Sequence, residues 1–294
     1  MLGVGRLRGA DWTLTGEDIA ALLRTRSNAA GATIRLEGGE LLSAAALPAW
    51  IAACQASGGG QIEITTSAVP LARPGLAAKV QRLGVDAIVV PLYGADADAH
   101  DWIAGHDGLM KRTLAGIRNA LAAGLGVTVV APILRPTYRE LDRLVGRALG
   151  LGVRHVEVVY LPPSSTLPAR LGAHPALAAP VVIRSLALVA AARREATVFG
   201  LPPCLLGTFG DAALAGSADH TALLPAAALP FVNESIQNAT DACAHCRWLA
   251  SCGGPTSEAV TAFGASWVKA RLDDPSSGAS NKATRSAPIR SATT

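Results

Sequence analysis

The feature that most constrains this chain is an alternation. Short apolar runs of strand length recur, each followed by a stretch with helical periodicity, and several of these stretches stop at a glycine. Strands are expected at 33–37, 61–66, 86–92, 127–131, 155–161 and 197–199. Helices are expected between them at 47–56, 74–83, 109–123, 138–151 and 178–195. The run at 86–92 is almost continuously apolar, as a strand buried on both faces requires. Such βα units join parallel strands through right-handed crossovers. The expected class is α/β, as an incomplete (βα) barrel of about five to six parallel strands, with a doubly wound sheet as the other arrangement of the same units. In either, chemistry belongs at the C-terminal ends of the strands.

From about Pro202 the rhythm breaks, and the rest of the chain follows other rules. Four of the five cysteines fall late: Cys204, then Cys243 and Cys246, then Cys252 before Gly253-Gly254. A pair two residues apart, a third close behind and a fourth from an earlier loop is a way to present four thiolates to one metal centre. The residues alone leave zinc and iron–sulfur both open, since an all-thiolate set suits either. The fifth, Cys54, falls inside an expected helix and reads as a small buried apolar residue. Beyond about Asp273 the sequence is rich in Ser, Ala and Thr and is expected to be a disordered tail. The layout is therefore a barrel at 1–200, a small cysteine-rich lobe at 201–272 and a tail at 273–294.

Composition excludes several classes. Apolar residues make up 50% of the 294 and aromatic residues only 4%, which suits helices packed on a sheet and leaves little surface for stacking bases. The formal charge of +4 comes partly from Lys282, Arg285 and Arg290 in the tail. No dense Lys/Arg stripe marks a nucleic-acid surface. Apolar stretches are broken by charge, Gly or Pro well short of the ~20 residues that span a bilayer. The first residues show no secretory h-region. A cytoplasmic, reducing location is expected, where clustered cysteines are metal ligands before they are disulfides. No phosphate-binding Gly-x4-Gly-Lys loop and no evident nucleophile–base pair point to an ordinary hydrolase or isomerase.

Several segments, in order, resemble the radical S-adenosylmethionine superfamily. Leu14-Thr-Gly-Glu-Asp-Ile19 resembles its helix leading into the second strand. Leu36-Glu-Gly38-Gly39-Glu40 resembles its Gly-Gly-Glu motif, and Thr65-Thr66-Ser67 stands where the superfamily usually has Thr-Asn-Gly. The stretch from Pro91 through His100-Asp101 to Gly108 resembles its third-strand signature. Cys204 with Cys243-x2-Cys246-x5-Cys252-Gly-Gly resembles a half-size (SPASM/twitch-like) auxiliary-cluster extension. The resemblance covers about residues 14–254.

The resemblance implies that Gly38, Gly39 and Glu40, with Thr66 and Ser67, hold S-adenosylmethionine. It also implies an auxiliary [4Fe–4S] cluster on Cys204, Cys243, Cys246 and Cys252, with zinc as the alternative metal. Other readings stand beside these. Gly38-Gly39-Glu40 can be a plain βα turn, with glycines for positive φ and a glutamate in a first helical turn. His100 and Asp101 can belong to a solvated acidic loop with Asp96 and Asp98. His245 is expected to be exposed, Asp86 to cap a strand entry, and either Glu157 or Tyr160 to point into the barrel.

One defining element is not in this sequence. The superfamily's Cys-x3-Cys-x2-Cys loop follows its first strand, and no cysteine here precedes Cys54. The expectation is that the loop lies upstream in a longer form of the protein; a relative that has lost radical chemistry is the other possibility. The resemblance implies peptide modification or cofactor maturation, with a small-molecule or peptide substrate. The alternative function is a non-catalytic iron–sulfur or zinc protein that recognises a peptide or a partner protein.

Overall fold

The apolar runs pair into one parallel sheet of six strands: β1 (Ile34–Leu36), β2 (Ile62–Thr65), β3 (Ala87–Pro91), β4 (Gly126–Ile133), β5 (His155–Tyr160) and β6 (Glu195–Phe199). Their spatial order is their sequence order. The computed structural model describes residues 15–24, 31–58, 60–164, 167–218 and 240–269. The expected tail at 273–294 lies outside them. Among the described residues the helices are α1 (Gly16–Arg24), α2 (Leu47–Ala56), α3 (Leu76–Leu83), α4 (Ala97–Ala104), α5 (Leu109–Ala122), α6 (Leu141–Gly150) and α7 (Pro175–Ala191). They continue with α8 (Gly210–Ala218), α9 (Leu249–Cys252) and α10 (Ser257–Phe263).

Strand pleating separates two faces. Ile62, Ile64, Ile88, Val90, Val129, Val156, Val158 and Val198 join the main core, together with Ile51 and Cys54 of α2 and Val145 of α6. Each side chain of this kind contributes roughly 1.5–3 kcal/mol when fully removed from water. The other face carries a small separate apolar group, Val89, Val130 and Val159, with Phe199 and Leu161 against it. It also carries charge, and the charge reveals the shape of the sheet. The Arg35 guanidinium on β1 donates two hydrogen bonds to the Glu157 carboxylate on β5, at 2.9 and 2.6 Å. Four strand spacings of about 4.8 Å would put these strands ~19 Å apart in a flat sheet. The sheet must therefore curl, with Arg35 and Glu157 on its concave face. This is the expected incomplete barrel, and the doubly wound alternative is excluded.

Where expected elements moved, local chemistry explains it. Segment 138–151 begins as a 3-10 turn at Tyr138–Glu140 before α6. The helix expected at 178–195 starts earlier, because Pro175 at its first position needs no N–H donor partner. It ends at Ala191, and Glu195 opens β6, with its N–H donating to Arg154 O. Asp86 does cap a strand entry, but that of the neighbouring strand: its carboxylate accepts from Ile62 N at 2.8 Å. Among the described residues, no helix is long and apolar enough to cross a bilayer.

Candidate functional site

Two groups of residues singled out in the sequence come together at the C-terminal edge of the sheet. The first lies on the loops after β1 and β2. Glu40 follows β1 and caps a 3-10 turn at Leu41–Ser43 by accepting from Leu42 N. Its carboxylate also accepts from the Thr66 hydroxyl at 2.6 Å, the Ser67 hydroxyl at 2.5 Å and Ser67 N at 3.1 Å. Gly38, Gly39, Glu40, Thr66 and Ser67 therefore form one stapled rim.

The glycines in this rim are not there for the turn. Neither Gly38 nor Gly39 has a positive φ. A Cβ on Gly39 would meet nothing within 4 Å, and on Gly38 only Leu41 Cδ2 at 3.5 Å. Both are exposed. The expectation that a plain turn needs them for left-handed backbone is thus corrected. What two such glycines provide is bare backbone that another molecule can approach closely. The left-handed residue of the second loop is Ala68, at φ 59, one position beyond Ser67. It is locked under α5: a Cβ on Gly116 would stand 1.9 Å from Ala68 O, so only glycine lets the helix pass there.

Behind the rim, the concave face holds a charge cluster whose partners the sequence did not reveal. Arg35 Nε donates to Glu63 at 2.9 Å while its other nitrogens engage Glu157, so one guanidinium serves two carboxylates. Of the two expected candidates, Glu157 is the one on the concave face, only 3% exposed. Tyr160 lies on the other face, with its hydroxyl donating to Ala173 O. Burial opposes ionisation of Glu157, but the paired Arg35 holds its carboxyl below the ordinary range. Glu37 stands at the end of β1, where among the described residues the Thr65 hydroxyl donates to it at 3.4 Å. Burial pushes its carboxyl upward, and Glu157 adds to the rise. The signal in the sequence was the period-two spacing of Arg35 and Glu37 on one strand face; Glu157 was one of two candidates to face the barrel, but nothing local paired it with Arg35.

His100 and Asp101 are not in a solvated loop. They sit on α4, which Asp96 caps by accepting from Ala99 N. His100 is 2% exposed, and its Nδ1 accepts from Tyr93 N at 3.1 Å. Burial lowers its pKa, against the pull of Asp101. Asp101 accepts from Gly108 N at 2.6 Å and Met110 N at 2.7 Å, which caps α5. The charged residues expected to face water instead organise two helix starts. Asp98 alone of the four is exposed.

The second group is the cysteines. Cys204 lies in a 3-10 turn after β6, Cys243 closes another at Asp241–Cys243, and Cys252 ends α9 before left-handed Gly253 and Gly254. Cys246 N donates to Cys243 O at 2.9 Å, which makes the tight turn that Cys-x2-Cys spacing permits. All four line one cavity, closed by Pro202, Trp248 and Val268. None is in a disulfide. Burial raises the pKa of Cys204, and Cys252, Cys246 and Cys243 raise it further, while the Lys269 backbone N–H lowers it. Cys252 is raised for the same reasons, burial first. Among the described residues, no three Cys, His, Asp or Glu groups are placed to hold a single metal ion. Cys54 is fully buried in α2, with its thiol pushed up to about 11 by burial, and His245 is exposed.

Comparison with known proteins follows this geometry. No protein-family profile matches the chain. Over 146 residues, 49% of its length, it is 31% identical to the PqqA peptide cyclase of Methylocella silvestris, of which it covers 39%. SuiB of Streptococcus suis, solved with S-adenosylmethionine, superposes with a TM-score of 0.50 at 15% identity. That match covers 65% of this chain and 44% of SuiB. The structure of anSMEcpe with bound AdoMet and a Cp18Cys peptide gives 0.52 at 8% identity, over 66% of this chain and 60% of that one. The chain thus spans about two fifths of the curated relative it matches. At these identities the two structures share its fold, the curled parallel sheet with helices outside.

Proposed function

We propose that this chain is a radical S-adenosylmethionine-type iron–sulfur protein that acts on a peptide. The observation that carries the reading is the convergence of four free thiols, from positions 204 to 252, on one cavity beyond the C-terminal edge of a curled parallel sheet. Four clustered thiols, Cys243 buried and the other three half-buried, are a site that a cation stabilises, since the neighbouring thiols oppose ionisation of Cys204 and Cys252. A mononuclear zinc site, with Zn–S bonds of about 2.3 Å, would hold its sulfurs roughly 3.8 Å apart. The Cys-x2-Cys-x5-Cys spacing, with Cys204 from an earlier loop, resembles an auxiliary-cluster site, which favours a cluster of several irons over that single ion. Cys204, Cys243, Cys246 and Cys252 would hold it as a [4Fe–4S] centre. Such a cluster supplies one-electron chemistry when bound.

The rim after β1 and β2 is the proposed place for S-adenosylmethionine. Gly38 and Gly39 offer exposed backbone to its polar end, and the Glu40 staple to Thr66 and Ser67 fixes the loop that carries them. The concave face, apolar at Val89, Val130 and Val159 and charged at Glu37, Arg35 and Glu157, would line the space beneath. The sequence relative is a peptide cyclase, and anSMEcpe was solved with a peptide; both support a peptide as substrate. The Cys-x3-Cys-x2-Cys loop of the superfamily is not in this sequence, and catalytic competence is a question for experiment.

The test is anaerobic reconstitution with iron and sulfide, followed by metal analysis and titration with S-adenosylmethionine by calorimetry. Wild-type protein should bind about four irons per chain. Cys204→Ser should lose most of them, while S-adenosylmethionine binding survives. Unchanged iron in Cys204→Ser would overturn the ligand assignment. Tight zinc with no iron would replace the cluster by a structural ion. Binding of S-adenosylmethionine without 5′-deoxyadenosine under reductant would make this chain a binding module.

A further inference from the structure

Helices α5 and α6 leave a groove between them that neither the rim nor the cysteine lobe uses. It opens at Asp96, the start of α4, on the side of the sheet where the chemistry is proposed, and is an open depression of about 360 Å3. Its floor is apolar, from Met110 and Leu114, and its rim is cationic, from Lys111 and Arg118 of α5 and Arg147 of α6. Arg147 is held in place, because its Nε donates to Ala95 O at 2.8 Å. Among the described residues no carboxylate forms an ion pair with Lys111, Arg118 or Arg147, whereas Arg35, Arg143 and Arg184 each have one. Asp96, the one acid lining the groove, is engaged in capping α4.

Three cations against the single Asp96 carboxylate, around an apolar floor, leave net positive charge and gain when an anion arrives. Guanidinium groups suit carboxylates in particular, which they bind in bidentate fashion. The floor asks in addition for apolar side chains, which a free phosphate or acetate lacks. An extended or helical peptide with acidic and aliphatic residues answers both demands. Because the groove begins at the reactive edge and runs down between the helices, a peptide lying in it could present a neighbouring segment to the rim.

We propose that this groove docks an acidic, leucine-bearing segment of the peptide substrate. The proposal rests on the reading that the protein acts on a peptide, and its test needs no turnover. Fluorescence anisotropy would follow a short fluorescein-labelled peptide of alternating Glu and Leu. Lys111→Glu/Arg118→Glu should weaken its binding about tenfold or more, as like charges are brought together. Raising the salt concentration should weaken wild-type binding in the same direction. Arg82→Glu/Arg154→Glu, on other faces, removes the same charge from the whole protein and should leave binding within about twofold. Lys111→Gln/Arg118→Gln, checked for its melting temperature, separates lost contacts from repulsion and should show a smaller loss.

Equal weakening by the two charge-reversal pairs would mean the peptide follows net charge only, and would overturn the proposal. So would a wild-type protein that does not bind the peptide at all. Neither result would touch S-adenosylmethionine binding at the rim, so the failure of this proposal is distinguishable from the failure of the wider reading.

Discussion

The rim after β1 and β2 and the cysteine group lie at the C-terminal edge of the sheet, but they are built on opposite terms. The rim satisfies itself. Glu40 accepts four hydrogen bonds from Leu42, Thr66 and Ser67, and the loops it joins are held whether or not anything binds. The lobe does not. Its four thiols line a common cavity, and Cys204 and Cys252 are pushed up by burial and by their neighbours. A site of the first kind gives its ligand a ready surface. A site of the second kind takes part of its stability from the ligand.

The largest expected effect breaks the two regions apart. Removing the proposed metal with a chelator, or substituting Cys204→Ser, should expose the segment around 240–269 to limited proteolysis while the main thermal transition of the barrel stays. Simultaneous loss of both would show that the lobe is only another part of the core. The next effect falls on the barrel. Arg35→Ala strands the buried Glu157 and half-buried Glu63 carboxylates, and should cost about 3–5 kcal/mol in urea unfolding. Iron content should not change. The double change Arg35→Leu/Glu157→Leu should recover much of that loss, because it leaves no uncompensated charge at Glu157.

A smaller change sharpens the account of the rim. Glu40→Ala removes the acceptor of the buried Thr66 hydroxyl and should cost about 2 kcal/mol. It should also weaken S-adenosylmethionine, because the glycine loop loses its anchor. The smallest effect is a pH dependence. His100 must be neutral to accept from Tyr93 N, and its folded pKa lies below the unfolded value of about 6.5. The folded state therefore binds fewer protons, and stability falls as pH drops below about 6.5. His100→Gln should flatten that part of a melting-temperature profile. The depressed carboxyl of Glu157 acts in the same direction only at lower pH, below its unfolded value near 4.3.

How much of this was legible beforehand follows the range of each interaction. Strand and helix existence was readable because apolar runs such as 86–92 and glycine stops such as Gly84 act over a few residues. The helix starts at 97 and 210 are not legible in the sequence, because α4 is capped by a lone aspartate in an acidic stretch and α8 lies where the rhythm has already broken. Cys-x2-Cys spacing was readable for the same local reason as the strands. The role of Gly38 and Gly39 was not, since the same pair can serve a turn or a ligand. Only their backbone angles and empty surroundings separate the two.

The sequence by itself determined the α/β class, the parallel connection of strands and the cysteines proposed as metal ligands, because each depends on periodicity, turn chemistry or donor type. Tertiary structure alone decided the curl of the sheet, the partner of Arg35 122 residues away and the meeting of Cys204 with the later cysteines. These are choices among distant pairings, and local residue chemistry is nearly indifferent to them. Packing the whole chain around one core selects among them, since only one arrangement buries the apolar faces while giving the buried charges their partners.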